Sequence, residues 1–155
     1  MSLQRVLDYF KQFNIDDRVQ VFDVSSATVA LAAEALGCEP CRIAKTLSFD
    51  VGEKTILVVA AGDVKIDNNK YKKKFGCKAK MVKPDAAESK IGHAVGGICP
   101  FGVNQGVEVY LDQSLRRFAS VFPACGSSKS AIELTIDELE KYSNSLGWID
   151  VCKNL

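Results

Sequence analysis

Residues 42–61 read RIAKTLSFDVGEKTILVVAA, and this stretch decides the fold that the rest of the chain must join. Its two halves, 42–49 and 54–61, are apolar runs with β-branched residues, which predicts two strands. The short link between them contains Gly52, a residue that accepts the backbone conformation of a tight turn. We therefore expect a β-hairpin here.

Outward from the hairpin, the chain alternates between helical and extended patterns. Helices are predicted at 2–13, 28–36, 67–75, 84–91 and 135–143, the last opened by the capping box Thr135-Ile-Asp-Glu138. Further strands are predicted at 18–24, 107–112, 117–125, 131–134 and 147–152. This order predicts one mixed α/β domain over residues 1–155, with antiparallel or mixed strands.

Composition limits the classes of protein to consider. The chain has 155 residues, enough for one domain with a real core, and its 47% hydrophobic and 25% charged residues are ordinary for a globular protein. No apolar run reaches the roughly 18 residues of a membrane span, and the N-terminal stretch lacks the apolar region of a signal peptide. We therefore expect a cytoplasmic protein without membrane contact, whose six cysteines stay free thiols.

Charge is small overall but uneven. The net charge of +1 excludes a general polyanion binder, yet residues 70–83, KYKKKFGCKAKMVK, hold seven lysines and no acid. Such a segment can contact several phosphates or can be a solvated helix face, and charge alone leaves both open.

The pair in Cys38-Glu-Pro-Cys41 is weak evidence for chemistry. A structural zinc site needs about four ligands, and the sequence has no second such pair and only one histidine. A redox pair would follow a strand and open a helix, whereas this one follows the predicted helix end at Gly37. We expect structural thiols and no metal.

Residues 91–103, IGHAVGGICPFGV, contain that single histidine, His93, and Cys99. A nucleophile–base pair is one interpretation, but Cys99 precedes Pro100 and has no helix N-terminus to lower its pKa. The alternative is a binding loop built from main-chain donors, in which Gly96 and Gly97 adopt positive φ and expose their N–H groups. The glycine content favours this second interpretation.

Four segments carry a resemblance to a known family. In order, 26–37 (SATVALAAEALG), 42–49, 96–102 (GGICPFG) and 124–126 (ACG) resemble the YbaK family of aminoacyl-tRNA deacylases. That family also includes the editing domain inserted in bacterial prolyl-tRNA synthetases. The resemblance covers about residues 25–139. It implies a curled mixed sheet around a small pocket with surrounding helices, and hydrolysis of the ester that joins a wrong amino acid to tRNA, typically tRNA for proline.

The resemblance also implies roles for individual residues. The lysine of the family's I-x-K-T-L pattern falls on Lys45, which would be catalytic together with Gly96 and Gly97. The family's loop and later glycine also place Pro100, Phe101, Gly102 and Gly126 at the substrate, and beside these motifs we expect Thr46, His93, Ile98 and Cys99 to contact it as well. From the charge of residues 70–83, rather than from the resemblance, we expect Lys70, Lys72, Lys73 and Lys74 to contact the tRNA backbone. The expected partners are tRNA and prolyl-tRNA synthetase, and no cofactor is implied.

Two rival functions stay open at this point. One is a tRNA- or nucleotide-binding module without catalysis, and the other is a thiol-dependent enzyme using Cys99 and His93. Lys45 together with the complete glycine loop favours the deacylase. The amino acid removed is left open among Ala, Cys, Ser and Thr, because Ala131 stands where some family members carry a carboxylate.

Overall fold

The computed structural model describes residues 2–155. Its five α-helices are α1 (Ser2–Lys11), α2 (Val29–Leu36), α3 (Asn68–Phe75), α4 (Pro84–Ile91) and α5 (Ile136–Tyr142). The helix ends follow their capping residues: Thr28 caps α2, Asp67 caps α3, and the Thr135–Glu138 capping box opens α5. No helix in this described part is long and apolar enough to cross a membrane.

The strands form one large sheet and two short ribbons. They are β1 (Gln20–Val21), β2 (Ile43–Val51), β3 (Lys54–Ala61), β4 (Val64–Ile66), β5 (Glu108–Asp112), β6 (Ser120–Pro123), β7 (Ser130–Ala131), β8 (Leu134–Thr135), β9 (Trp148–Ile149) and β10 (Cys152–Asn154). The large sheet has the order β8-β6-β2-β3-β5-β9, while β1 pairs with β7 and β4 with β10. The sheet is mixed and curls into a half-barrel, which confirms the predicted fold class.

The predicted hairpin forms the middle of this sheet. Strands β2 and β3 are antiparallel, with Ala44 opposite Ala61 at one end and Val51 opposite Lys54 at the other. Gly52 has a φ of 61°, so the turn uses the left-handed conformation that glycine adopts without steric cost. From Ile56 to Ala61 every residue of β3 is at most 1% exposed. The apolar run of β3 is therefore covered on both faces.

Helix α1 closes one side of the core. Its Val6 and Phe10 are fully buried, and the ring of Phe10 lies 4.8 Å from that of Phe101. Tyr9 reaches α5, where its hydroxyl donates to the main-chain carbonyl of Tyr142 at 2.6 Å. These contacts fix α1 against Phe101 and against the end of α5.

Several predicted boundaries are wrong at the edges of the fold. The strand predicted at 18–24 is reduced to β1, because residues 16–18 form a 3₁₀ turn, and the strand at 117–125 is reduced to β6. The pattern at 131–134 is divided between β7 and β8, and that at 147–152 between β9 and β10. Strand β4 was not predicted. These short strands pair with partners distant in sequence, so tertiary contacts rather than local pattern set their ends.

Candidate active site

A gap in the large sheet creates the candidate site. Strand β2 is hydrogen-bonded to β6 only at Ile43 and Ala44. At its other end it is joined to residues 80–82, where the Ser48 carbonyl accepts from the Val82 N–H at 3.1 Å. Between these two contacts β2 has no strand neighbour on that side. The gap opens into a cavity of about 370 Å³.

The main chain of Thr46 borders this gap. Successive residues of a strand direct their N–H and C=O groups to opposite neighbours, so Thr46 directs its groups to the same side as Ser48. The Ser48 carbonyl and the Asp50 N–H on that side are bonded to residues 80–82. Thr46 lies between the end of β6 and residues 80–82, so its main-chain N–H and C=O groups face the cavity.

The wall of the cavity is largely small and apolar. The residues are Ser26, Ala27, Thr28, Val29, Ala32, Ile43, Ala44, Lys45, Thr46, Ser48, Met81, Val82, Pro84, Val95, Gly96, Ile98, Phe122, Ala124, Ser130 and Ala131. None of these lining residues is acidic. A bound ammonium group would therefore be held by carbonyl and hydroxyl oxygens rather than by a carboxylate.

Three of the five hydroxyl side chains in the wall are already bonded to the protein. Ser26 donates to the Ser128 carbonyl at 2.9 Å, and Thr28 accepts from the Leu31 N–H at 3.1 Å. The Ser130 hydroxyl lies 2.7 Å from that of Ser127. These bonds help to shape the wall, although the Thr28 hydroxyl keeps its donor and the Ser26 hydroxyl keeps its acceptor sites.

The other two hydroxyls, of Thr46 and Ser48, have no hydrogen-bond partner within residues 2–155. They lie two positions apart on β2, so they point to the same side of the strand, and their Cα atoms are roughly 6.6 Å apart. Ser48 is only 4% exposed and lines the cavity. Its hydroxyl is therefore available to a ligand or water in the cavity.

Lys45, the lysine expected to be catalytic, lines the same cavity from β2. Its ammonium donates to the main-chain carbonyls of Gly62, at 3.5 Å, and Val64. Burial lowers the pKa of Lys45 because the charged form loses solvation. Two carbonyls occupy two of the three N–H donors of the ammonium, which leaves one for a substrate. The solvation free energy that the ammonium loses on burial is therefore offset in part by two carbonyls and not by an anion.

The glycine loop meets the cavity through Gly96 and Ile98. Gly96 has a φ of 95°, as the sequence led us to expect, whereas Gly97 does not adopt positive φ. The N–H of Gly97 donates to the Ala94 carbonyl at 3.0 Å and so closes a turn inside the loop. This corrects the expectation that Gly97 offers a free donor at positive φ.

Gly97 is needed for close packing instead. A Cβ added to it would lie 2.5 Å from the carbonyl carbon of Gly126 and 2.6 Å from the N atom of Ser127. Gly126 is itself at a φ of 88°, and a Cβ there would lie 2.5 Å from the Ser2 carbonyl oxygen. The two glycines let the loop, the segment after β6 and α1 stack main chain on main chain.

His93 and Cys99 are brought together beneath this loop. The Cys99 Sγ lies 3.6 Å from the His93 Nε2, which is 2.7 Å from the Phe101 carbonyl oxygen. Both residues are 0% exposed, and neither lines the cavity. Burial raises the pKa of the Cys99 thiol to about 12 and lowers the pKa of His93. A reactive cysteine requires the opposite shift and access to its substrate.

The expected substrate-binding residues therefore fall into two groups. Thr46 and Ile98 line the cavity together with Lys45 and Gly96. The remaining expected residues lie outside the wall, as parts of the loop's support: His93, Gly97, Cys99, Pro100, Phe101, Gly102 and Gly126. The separation arises because a short loop has an inner and an outer side, which motif spacing does not distinguish.

The lysines expected to contact the tRNA backbone also fall into two groups, one bonded within the protein and one exposed. Lys70 donates to Asp150 and to the Cys152 carbonyl, each at 3.0 Å, and so ties α3 to the C-terminal strand instead of being free. Lys72, Lys73 and Lys74 are exposed and form no salt bridge within residues 2–155. Helix α3 packs through Tyr71 on Phe49, whose side chain points away from the face of Thr46 and Ser48.

Sixteen of the twenty lining residues were not among the predicted site residues, and Ser48, Met81 and Val95 are three of these. Ser48 could have been found, because it lies at i+2 from Thr46 on a predicted strand and must share its face. Met81 and Val95 carried no signal, since they lie in irregular segments that only the folded chain brings to the cavity. No group of three or more potential metal ligands occurs in the described residues.

Comparison with known proteins identifies relatives of this arrangement. A family model described as an aminoacyl-tRNA editing domain matches residues 24–142, which include the hairpin, the glycine loop and Gly126. The chain is 54% identical over 155 residues to the uncharacterized protein YwhH of Bacillus subtilis, covering 99% of each. It is 30% identical over 95 residues to a proline–tRNA ligase of Bacillus cytotoxicus, which is 61% of this chain and 16% of the ligase.

A solved structure adds to the sequence matches. It is described as a candidate trans-editing enzyme for prolyl-tRNA synthetase, and it superimposes with a TM-score of 0.88 at 25% identity. The match covers 99% of this chain and 98% of the other. Helix α1 and strands β9 and β10, which lie outside the family match, are thus within the extent of this similar structure.

Proposed function

The chain belongs to the aminoacyl-tRNA editing domain family, and on this premise we propose that it is a trans-editing deacylase. It hydrolyses the ester bond between a wrong amino acid and the 3′ end of a tRNA. The tRNA proposed is that for proline, and the amino acid is a small one such as Cys, Ala, Ser or Thr. The matches to a proline–tRNA ligase and to a candidate trans-editing enzyme support this choice, with prolyl-tRNA synthetase as a further partner.

One observation carries the proposal: the cavity in the β2 gap combines Lys45 and Thr46 with the glycine loop. The Lys45 ammonium retains one donor for an ester oxygen, and Gly96 of the glycine loop lines the same cavity. Donors that face a developing negative charge in a site poor in water typically accelerate ester hydrolysis by 10²–10³. An aminoacyl ester is already activated, so positioning and such donors suffice without a nucleophilic side chain.

The reaction balances with water as the only co-reactant. Water adds to the ester carbonyl carbon, and the carbonyl oxygen becomes an oxyanion that the Lys45 ammonium stabilises. The bond from that carbon to the ribose oxygen then breaks. One proton of the water goes to the ribose oxygen as it leaves, the other is released to solvent, and the free amino acid departs as a carboxylate.

The small walls of the cavity support a small amino acid. Ala44 and Ala131 are each 3% exposed and lie in the wall with Ala124. The part of the cavity that these alanines line has room for a short amino-acid side chain of the substrate. A second site that accepts only small products removes errors that a synthetase pocket cannot reject by size.

Lys45→Ala tests the proposal. We expect it to lower kcat/KM for deacylation of the best mischarged tRNA by about a hundredfold, since one donor to the oxyanion is lost. The matched control is Lys65→Ala, which removes the same charge from an exposed position on β4. A panel of tRNAs charged with Ala, Cys, Ser, Thr and Pro would be used to find the best substrate.

Two results would contradict the proposal. Activity of Lys45→Ala within about twofold of the unmodified chain would remove Lys45 from the reaction. Binding of tRNA without hydrolysis of any charged tRNA in the panel would instead favour a binding module without catalysis.

A further inference from the structure

The ammonium of Lys45 is held by a turn that has supports of its own. Residues 62–64 join β3 to β4, and the Gly62 and Val64 carbonyls in this turn accept hydrogen bonds from Lys45. The main chain of Gly62 lies so close to the Pro40 carbonyl oxygen that no Cβ would fit between them. The direction of the Lys45 ammonium therefore depends on where this turn is fixed.

Asp63, between the two accepting residues, is bonded through both its main chain and its side chain. Its carbonyl oxygen accepts from the Leu155 N–H at 3.3 Å, directly after β10. Its carboxylate accepts from the two terminal guanidinium nitrogens of Arg117, at 2.6 and 3.0 Å. The Arg117 Nε donates in turn to the Ser114 carbonyl at 2.8 Å, within the 3₁₀ turn Gln113–Arg117. A paired contact of this kind fixes the geometry, so the carboxylate stays beside the turn.

The Asp63 carboxylate also acts on Lys45 through its charge, although the two groups form no direct salt bridge. Burial lowers the pKa of Lys45, and the negative charge of Asp63 opposes that decrease. The effect is mutual, because the pKa of Asp63 is lowered by Arg117 and, to a smaller extent, by Lys45. Asp63 therefore favours the charged form of the lysine from behind the site.

The other titratable groups around Lys45 do not replace this charge at neutral pH. Cys152 on β10 also faces the lysine, but burial raises the pKa of its thiol to about 12, so the thiol is neutral. Asp112 and Glu39 are acids on neighbouring segments, and each is hydrogen-bonded elsewhere. The cations on these segments are Arg42, Lys65, Arg117 and Lys153. Asp63 is left as the anion that acts on Lys45.

We propose that Asp63 is a positioning residue for the reaction at Lys45. Its carboxylate, fixed by Arg117, holds the turn whose carbonyls orient the ammonium, and its negative charge keeps that ammonium protonated. This inference rests on the proposed function, in which the charged lysine stabilises the oxyanion. The side chains of Asp63 and Arg117 are 39% and 44% exposed, and an ion pair so exposed contributes little to stability. Its substitution should therefore leave the fold intact.

Direct titration of Lys45 tests the inference without requiring hydrolysis. NMR of protein labelled with carbon-13 at the lysine Cε gives the pKa of each lysine, and the signal absent in Lys45→Gln is that of Lys45. We expect a lower Lys45 pKa in Asp63→Asn, because an anion is lost, and an unchanged or higher one in Arg117→Gln, because a cation is lost. Asp63→Glu keeps the charge and should keep the pKa of the unmodified chain.

The pH profile of deacylation gives a second readout. Because the ammonium is the active form, kcat/KM is constant below the Lys45 pKa and is lost as the pH rises through it. Asp63→Asn should move this loss to lower pH by the shift that NMR finds, after subtraction of the spontaneous ester hydrolysis. The control is Asp50→Asn, which breaks the ion pair with Lys90 at the other end of β2, about 16 Å along the strand. It should move neither readout.

Two results would overturn this role of Asp63. One is a Lys45 pKa that is the same in Asp63→Asn and in the unmodified chain. The other is an equal change in Asp63→Asn and Arg117→Gln, since both break the same ion pair and a merely structural role predicts the same effect. If Lys45 titrates as expected but no charged tRNA is hydrolysed, only the deacylase proposal fails. If hydrolysis depends on Lys45 but its pKa does not respond to Asp63, only the positioning role fails.

Discussion

The side chains of Cys99 and His93 lie in contact beneath the glycine loop, and their surroundings determine what they can do. The Nε2 of His93 is 2.7 Å from the Phe101 carbonyl oxygen, so a neutral imidazole that carries its proton there donates across the loop. Its Nδ1 is buried without a partner, which disfavours the charged form. With the pKa of the Cys99 thiol at about 12, the thiolate is scarce at neutral pH. The pair holds the loop together.

Cys99→Ser should therefore remain an active deacylase, with kcat/KM at least half that of the unmodified chain. We expect the free energy of unfolding to fall by about 1–2 kcal/mol, because a hydroxyl replaces an apolar thiol in the core. Deacylation rates and denaturant unfolding measure the two effects. Mass spectrometry would contradict this view if it detected an aminoacyl adduct on Cys99 during turnover.

At the scale of elements, the site depends on the contact between the glycine loop and the segment after β6. Gly97 lies against the main chain of Gly126, and Gly126 in turn lies against the start of α1. Neither neighbour can move as a side chain would, because each is main chain. The loop is therefore positioned by stacking of three segments that are far apart in sequence.

Gly97→Ala tests this stacking. Alanine is compatible with the backbone of Gly97, yet its Cβ would lie 2.5 Å from Gly126, so the loop must shift. We expect a loss of about 1–3 kcal/mol in the free energy of unfolding and at least a tenfold loss of deacylase activity. Gly76→Ala is the control, because it ends α3 at a φ of 77° with no atom within 4 Å of the added Cβ. It should cost about 1 kcal/mol without changing activity. Equal activity of both variants would show that the loop position is unimportant.

At the scale of the whole molecule, the distribution of charge matters more than its sum. The net charge is +1, so affinity for tRNA cannot arise from overall attraction. The exposed lysines of α3 lie on the side of the sheet that faces away from Thr46 and Ser48, while the exposed Lys80 and Lys83 flank Met81 and Val82 of the cavity wall. The proposed tRNA substrate is large enough to contact both regions.

Reversal of Lys72 and Lys73 to Glu should weaken binding of all tRNAs alike, because phosphate contacts carry no sequence information. The slope of log K against log salt concentration should become shallower by about 1–2. Lys11→Glu/Lys141→Glu changes the net charge equally on α1 and α5, and should leave the slope unchanged. Filter binding at several salt concentrations gives these slopes, and equal slopes for the two double variants would assign the α3 lysines to a solvated face.

The sequence by itself determined the elements that are locally specified. The hairpin of β2 and β3 followed from two apolar runs and Gly52, and the helix starts at Asp67 and Thr135 followed from their capping side chains. The family resemblance also came from local motifs, and the match over residues 24–142 confirms it. These features depend on interactions within a few residues of each other, which the order of residues encodes directly.

The tertiary structure alone decided which side of each motif meets the cavity. It placed Gly96 in the wall but Gly97 against Gly126, and it bonded Lys70 to Asp150 while leaving Lys72 exposed. It also brought Met81 and Val95 to the cavity wall and separated β2 from β6 beyond Ala44. The physical reason is that each outcome depends on packing between segments distant in the chain. Steric fit of main chain on main chain and the pairing of distant charges are set only when the whole sheet has closed.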